Sequence, residues 1–107
     1  MIGITPAHLQ IVLNILEQFA PDYEARVFGS RYTRKAKKYS DLDIVLVGKV
    51  RMDWRQMAKI KESFEESTLP YRVDVIDWNS TSLEFRKVIE DGGFEVIRKR
   101  NARRARR

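Results

Sequence analysis

The chain has 107 residues, 43% of them hydrophobic, which is enough for one domain with a core but short for an enzyme that encloses a large substrate unaided. It contains no cysteine, which excludes disulfides and thiolate metal sites and fits a reducing cytoplasm. No apolar run approaches the roughly 20 residues of a membrane-spanning helix, and the start, MIGITPAH, lacks a signal-peptide pattern, so we expect a cytoplasmic protein without membrane contact.

The net charge of +6 is concentrated at the carboxyl end. Residues 98–107, RKRNARRARR, hold seven Lys or Arg and no acid, which leaves 14 basic against 15 acidic residues in 1–97. We therefore expect a folded domain over 1–97 and a basic, disordered tail over 98–107. Such a tail is either a solubilising end or a contact for nucleic acid or an acidic protein, whose affinity would fall steeply with salt.

The first part of the chain predicts a helix, a strand and a glycine turn. Thr5 is a helix cap followed by proline, and apolar residues then recur at helical spacing over 6–19. Residues 24–28 are predicted as a short strand that ends at Gly29-Ser30, where glycine permits a sharp turn and serine can cap the next element. We therefore expect a strand-turn-helix junction at this point.

The remaining elements continue this alternation. After a polar loop or short helix over 32–39, residues 42–47 give the strongest strand signal, being rich in Ile, Val and Leu. An amphipathic helix is predicted over 53–66, an alternating strand over 72–77 and a helix over 80–90. With a short edge strand at the end, this order predicts an α/β (α+β) fold in which helices flank a small mixed β-sheet.

Acidic residues occupy two of the predicted strands. Asp41 and Asp43 are two residues apart, so the two-residue period of a strand puts them on one face, and Asp74 lies in the next strand. If these strands are neighbours, three carboxylates meet, and their repulsion favours a bound cation. Oxygen ligands without His or Cys nearby favour Mg²⁺ or Mn²⁺ over zinc. The sequence thus predicts Asp41, Asp43 and Asp74 as catalytic residues and metal ligands.

Gly29 and Ser30 add a complementary feature. At a strand-to-helix turn, backbone N–H groups receive a phosphate, glycine lets the backbone approach, and the serine hydroxyl donates a hydrogen bond. A nucleoside triphosphate bound there would meet the metal at one edge of the sheet, where two ions clamp it for an in-line displacement. Asp74 is the candidate general base if it faces the attacking hydroxyl.

Structural roles compete with these interpretations. The first two aspartates would otherwise cap a strand or pair with Arg31, Lys37 or Lys38, Asp74 would be a surface carboxylate, and Ser30 would be a helix cap.

Several other residues have predicted structural roles. Asp77 is a helix-leading or turn residue at the end of the strand, and Trp54 and Trp78 are core or interface aromatics, with stacking on a nucleotide base as the alternative. The basic residues after the glycine turn either steer a nucleotide by their field or are simply solvated. These residues are Arg31, Arg34, Lys35, Lys37 and Lys38.

The segment from Gly29 to Asp43, GSRYTRKAKKYSDLD, resembles the GSx₁₀DxD signature of the DNA polymerase β-type nucleotidyltransferase superfamily. Asp74, in RVDVID, is similar to the third carboxylate of that family. The resemblance covers about residues 4–97 and is closest to the minimal nucleotidyltransferase (MNT) proteins, which lack a substrate-binding domain. A GS or DxD alone is a weak signal, but their order, spacing and strand context together are specific.

This resemblance implies transfer of a nucleoside monophosphate, usually AMP from ATP, to a hydroxyl with loss of pyrophosphate. MNT proteins are often paired with a HEPN-type helical protein that resembles an RNase toxin, and they act as antitoxins by placing AMP on a toxin tyrosine or by binding it. Such a partner would supply the second surface that a short chain lacks. Arg34 departs from the GSRxxG pattern, which has glycine there, and this departure favours the alternative of an inactive subunit that neutralises its partner by binding.

Overall fold

Four α-helices and four β-strands alternate through residues 2–100, the part of the chain that the structure, a computed structural model, describes. The helices are α1 (Pro6–Phe19), α2 (Ser30–Thr33), α3 (Trp54–Glu65) and α4 (Leu83–Gly92). The strands are β1 (Glu24–Phe28), β2 (Leu42–Val47), β3 (Val73–Asp77) and β4 (Glu95–Arg98), with a 3₁₀ turn (Trp78–Ser80) after β3. None of the helices in this described part is long and apolar enough to cross a membrane.

The strands form one mixed sheet in the order β3-β2-β1-β4. β1 pairs antiparallel with both β2 and β4, whereas β2 and β3 run parallel. A parallel pair needs a crossover connection, and α3 provides it between β2 and β3. The predicted fold, a small mixed sheet flanked by helices, is confirmed.

The face of the sheet that lies under α1 and α3 holds the main core. Val12 and Leu16 of α1 and Ile60 and Phe64 of α3 are buried there against the inward side chains of three strands. Those strand residues are Ala25, Val27, Leu42, Ile44, Leu46 and Val75. The apolar face predicted for β2 is therefore the one that holds the sheet to its helices.

The opposite face lies under α4. Phe85 of α4 contacts Phe28 of β1, with 6.1 Å between the ring centroids, and Ile89 and Val45 are buried. Asp43 belongs to this face, because it is the register partner of Phe28 and side chains alternate along a strand. The helix thus covers this face beside the acidic position while leaving Asp43 partly exposed.

The last helix begins at Leu83, later than the predicted residue 80. The carboxylate of Asp77 accepts hydrogen bonds from the Asn79 N–H at 3.3 Å and the Ser80 hydroxyl at 2.9 Å, which forms the 3₁₀ turn first. Ser82 then caps α4 by accepting a hydrogen bond from the Phe85 N–H at 3.1 Å. Asp77 is the last residue of β3 and the N-cap of the 3₁₀ turn, so its predicted helix-leading role is confirmed.

β4 confirms the predicted edge strand and ends at Arg98, one residue beyond the predicted limit of the folded domain. The Arg98 guanidinium donates to a carboxylate oxygen of Glu17 at 2.6 Å and to the Pro21 carbonyl at 3.1 Å, which fastens the strand to the end of α1. Residues 101–107 of the predicted basic tail lie outside the described residues.

Arg34 ends α2 in the left-handed conformation, with φ of 65° and ψ of 26°. Glycine enters this region freely, whereas a side chain meets a steric cost there. Among residues 2–100, no other residue besides glycine has a positive φ. The turn therefore keeps a glycine-like backbone although arginine occupies it.

Replacing Arg34 by glycine is expected to raise the free energy of unfolding by about 0.5–1 kcal/mol. The left-handed cost of roughly 1–2 kcal/mol is removed, while the greater flexibility of glycine in the unfolded chain takes back about 0.5–1 kcal/mol. Urea denaturation measures the difference. Arg34→Ala is the matched control, because it retains the Cβ atom and should gain nothing; a glycine variant no more stable than the alanine variant would contradict the strain.

Candidate active site

Asp43 and Asp74 face each other across the two parallel strands. They are register partners in β2 and β3, so the strand spacing puts their Cα atoms roughly 5 Å apart. Both side chains are half-buried and lie on the face that α4 covers. The sequence predicts a carboxylate cluster only if the two acidic strands are neighbours, and they are.

The surroundings of Asp43 oppose its ionisation. Burial, followed by the charges of Asp74 and Asp41, raises the pKa of the Asp43 carboxyl to about 6, and the guanidinium of Arg72 only partly offsets this rise. A cation placed between the carboxylates would stabilise the ionised form of Asp43, because it compensates the buried negative charge and offsets the repulsion from Asp74 and Asp41. The site thus favours a positive charge at this edge of the sheet.

The glycine turn lies directly against the Asp43 carboxylate. Gly29 has φ of 74° and occupies the N-cap position of α2. A Cβ atom at Gly29 would overlap Oδ2 of Asp43 and lie 3.3 Å from its Cγ, so both the backbone and the space require glycine. Ser30 is the first residue of α2, and its alternative role as the helix cap is therefore wrong. The predicted phosphate turn and the acidic pair adjoin one another.

Asp41 is placed differently from the other two carboxylates. It precedes β2, and its Oδ2 lies 3.8 Å from Nε of Arg72 in an ion pair whose side chains are 50% and 73% exposed. As the side chains stand in residues 2–100, no group of three or more Asp, Glu, His or Cys is placed to hold a metal ion. The donor chemistry of Asp43 and Asp74 fits Mg²⁺ or Mn²⁺, which take carboxylate oxygens. The ligand role predicted for Asp41 requires that it exchange Arg72 for the metal.

Arg31 is a buried residue, whereas the sequence predicted it only as a partner of the aspartates or as one of several nucleotide-steering or solvated basic residues. It is 6% exposed, and its guanidinium donates to the carbonyls of Gly3 at 2.8 Å, Ser40 at 2.7 Å and Lys38 at 3.3 Å. The same group lies 3.9 Å from the ring centroid of Tyr71, which precedes β3. Arg31 therefore joins the amino-terminal segment, the loop into β2 and the approach to β3.

These contacts, which we call the Arg31 clamp, exclude for Arg31 the roles predicted for the basic residues after the glycine turn. Its guanidinium bonds backbone carbonyls, so it neither pairs with an aspartate nor faces a nucleotide. The other four, Arg34, Lys35, Lys37 and Lys38, are exposed, which fits both predicted roles, so the choice between steering a nucleotide and simple solvation stays a prediction. Only the position of Arg31 directly after the Gly-Ser turn hinted at its role, because Tyr71 and Gly3 are distant in sequence.

The two tryptophans have different surroundings. The guanidinium groups of Arg26 and Arg86 lie 5.7 Å and 5.3 Å from the ring centroid of Trp78, in the 3₁₀ turn. Trp54, at the start of α3, is 70% exposed, so it is not a core residue. The core role is therefore wrong for Trp54, and its interface and base-stacking roles stay predictions.

Known proteins are similar to this chain in sequence and in fold. The family model "Polymerase beta, Nucleotidyltransferase" matches residues 12–102. The probable protein adenylyltransferase MntA of Haemophilus influenzae is 47% identical over 88 residues, which make up 82% of this chain and 77% of that relative. The chain belongs to the polymerase β-type nucleotidyltransferase family, and its class is that of a nucleotidyltransferase. Within that family it is a homologue of MntA.

Solved structures agree with this assignment at the level of the fold. A toxin-antitoxin complex with AMP-PNP contains a chain of TM-score 0.65 and 17% identity, with 88% of this chain and 75% of that chain covered. The complex of a tri-AMPylated Shewanella oneidensis HEPN toxin with its MNT antitoxin gives a TM-score of 0.59 at 17% identity, covering 94% and 76%. The resemblance to MNT proteins that the GSx₁₀DxD pattern predicts is confirmed.

Proposed function

We propose that this chain transfers AMP from ATP to a tyrosine hydroxyl of a HEPN-type helical protein, and that this modification makes it an antitoxin in the cytoplasm. The observation that carries the proposal is the Asp43-Asp74 register pair with Gly29 packed against it, because these are the residues proposed to bind the metal and the phosphates. The MntA relative and the AMPylated HEPN toxin bound to an MNT antitoxin support AMP as the group and a protein as the acceptor.

The reaction assigns a task to each residue of the site. The tyrosine oxygen attacks the α-phosphorus of ATP, a new O–P bond forms, the bond to the bridging oxygen breaks, and pyrophosphate leaves. Asp74 accepts the hydroxyl proton as general base, while Gly29 and Ser30 hold the phosphates through backbone N–H groups and the hydroxyl. Mg²⁺ held by Asp41, Asp43 and Asp74 would supply the positive charge that stabilises the triphosphate and the leaving pyrophosphate.

Labelled ATP tests the transfer directly. The chain is incubated with Mg²⁺ and a purified HEPN-type protein, with the label on the α-phosphate in one reaction and on the γ-phosphate in another. We expect the α-label to reach the partner and the γ-label to leave as pyrophosphate, and mass spectrometry to find AMP on a tyrosine. The double variant Asp41→Asn with Asp43→Asn should lower this transfer at least a hundredfold, because it removes two of the predicted ligands.

The competing hypothesis is a subunit that neutralises its partner by binding alone. The binding hypothesis was supported by the arginine at position 34, where the family pattern has glycine. Arg34 nevertheless adopts the left-handed conformation that glycine enters freely, so the turn does not exclude catalysis. Wild-type protein that suppresses the partner's activity without pyrophosphate release, and equally well as the double variant, would favour the binding hypothesis. Transfer that survives in the double variant would contradict the proposed roles of the aspartates.

A further inference from the structure

A groove of about 550 Å³ borders the outer edge of β3, outside the proposed chemistry. It lies between α3 and the 3₁₀ turn, and Trp54, Met57 and Ile76 contribute apolar lining. Trp54 is 70% exposed beside it, and a large exposed aromatic next to a cleft is typical of an interaction surface. Within the described residues, β3 pairs only with β2, so the sheet edge along this groove is open.

The charges that face the groove are positive. Arg51 and Lys61 line it, and the guanidinium of Arg55 lies 4.9 Å from the tryptophan ring. Asp77 also lines the groove, but it is 5% exposed and its carboxylate accepts a hydrogen bond from the Met52 N–H at 2.7 Å. Its charge is therefore engaged inside the protein. The groove presents cations around an apolar floor.

We propose that this groove docks the protein acceptor of the AMP transfer, through an acidic segment that carries a large apolar side chain. The inference rests on the proposed function. Two other occupants would bring like charges together. The chain's own residues 98–107 hold seven Lys or Arg and no acid. A second copy related by a two-fold axis would place its Arg51 and Lys61 close to the same two residues of the first copy. An acidic partner segment instead complements both cations.

β3 connects the groove to the candidate active site. Ile76 lines the groove and lies two residues from Asp74 on the same face of the strand, roughly 7 Å along it. A segment seated on this edge therefore reaches the general base within a few residues. Because the groove contacts the acceptor and not the reacting atoms, it contributes to the affinity for the acceptor protein and not to the chemical step.

Two variants and one control test this docking surface. Trp54→Ala removes the apolar anchor and Lys61→Glu reverses a cation, while Leu83→Ala truncates a side chain of α4 that is 77% exposed and outside the groove. With the purified HEPN-type protein as probe, we expect each groove variant to raise the Kd and the KM for that protein at least about tenfold. The KM for ATP, kcat at saturating acceptor, and both constants of Leu83→Ala should match the wild type.

Each outcome bears on the proposal separately. Groove variants that bind and modify the partner like the wild type overturn it, and so does tighter binding by Lys61→Glu, which would mean a basic partner segment. A groove variant that changes only self-association of this chain also overturns it, in favour of a second copy. If the wild type binds the partner but transfers no AMP, the proposed function fails while a binding loss in Trp54→Ala still supports the docking surface. A wild type that does not bind the partner overturns both.

Discussion

Replacing Arg31 by methionine is expected to lower the free energy of unfolding by about 3 kcal/mol. Methionine fills part of the buried volume but donates no hydrogen bonds, so the carbonyls of Gly3, Lys38 and Ser40 lose their charged donor. The contact with the Tyr71 ring at 3.9 Å is lost as well. Because a domain of this size is stable by roughly 5–15 kcal/mol, urea denaturation will detect this loss easily.

Arg31→Lys distinguishes the effect of the positive charge on stability from that of the guanidinium's hydrogen-bonding geometry. Lysine keeps the positive charge, but one ammonium group cannot reach three carbonyls as the planar guanidinium does, so we expect a loss of about 2 kcal/mol. Lys35→Met, in the exposed loop, is the matched control and should change stability by less than about 0.5 kcal/mol.

The Arg31→Lys variant also tests whether the clamp positions the site. Ser40, which accepts from Arg31 at 2.7 Å, directly precedes Asp41, so a loosened loop displaces a predicted ligand. We expect kcat for AMP transfer to fall about tenfold or more at a temperature where the variant is fully folded. A folded variant with wild-type kcat would restrict Arg31 to a purely structural role, and an Arg31→Met variant as stable as the wild type would contradict the clamp itself.

Local patterns were sufficient for most of the fold. β2 is predictable because a segment rich in Ile, Val and Leu lies between Asp41 and Gly48, and α1 because Thr5, proline and the helical repeat all mark the same start. The start of α4 was predicted too early, because both Ser80 and Ser82 are suitable caps in sequence. The choice depends on the Asp77 carboxylate, which accepts from the Ser80 hydroxyl and leaves Ser82 to cap the helix.

The candidate site divides into parts that the sequence shows and parts that it cannot show. Asp43 and Asp74 follow from alternation on two strands, and Gly29 from the turn between strand and helix. Two features depend on side chains that only the fold brings near: the burial of Arg31 against Tyr71, and the ion pair of Asp41 with a residue that directly precedes β3. Sequence spacing carries no signal for such contacts between distant segments.

Asp43→Asn is expected to stabilise the metal-free chain while lowering AMP transfer at least about a hundredfold. The pKa of Asp43 is about 6 in the fold against 3.8 as its ordinary value, so above about pH 6 the folded chain keeps an ionised carboxylate in an unfavourable place. Asparagine is neutral and removes that cost. Allowing for partial exposure, we expect a gain of about 1 kcal/mol, or roughly 5 °C in Tm, at neutral pH with chelator present.

The pH dependence of this gain identifies its origin. Well below pH 3.8, Asp43 is protonated in both the folded and the unfolded wild-type chain, so asparagine gives no gain in stability. The gain increases as the pH rises from 3.8 towards about 6 and reaches its full value above that. Asp41→Asn is the matched control, because the Asp41 carboxylate is 50% exposed and its replacement should give little change in Tm.

Added Mg²⁺ should raise the Tm of the wild type and remove its difference from Asp43→Asn, because only the wild type keeps the charge that holds the ion. A gap independent of pH would indicate packing as its cause, and equal stabilisation of both forms by Mg²⁺ would remove Asp43 from the metal ligands.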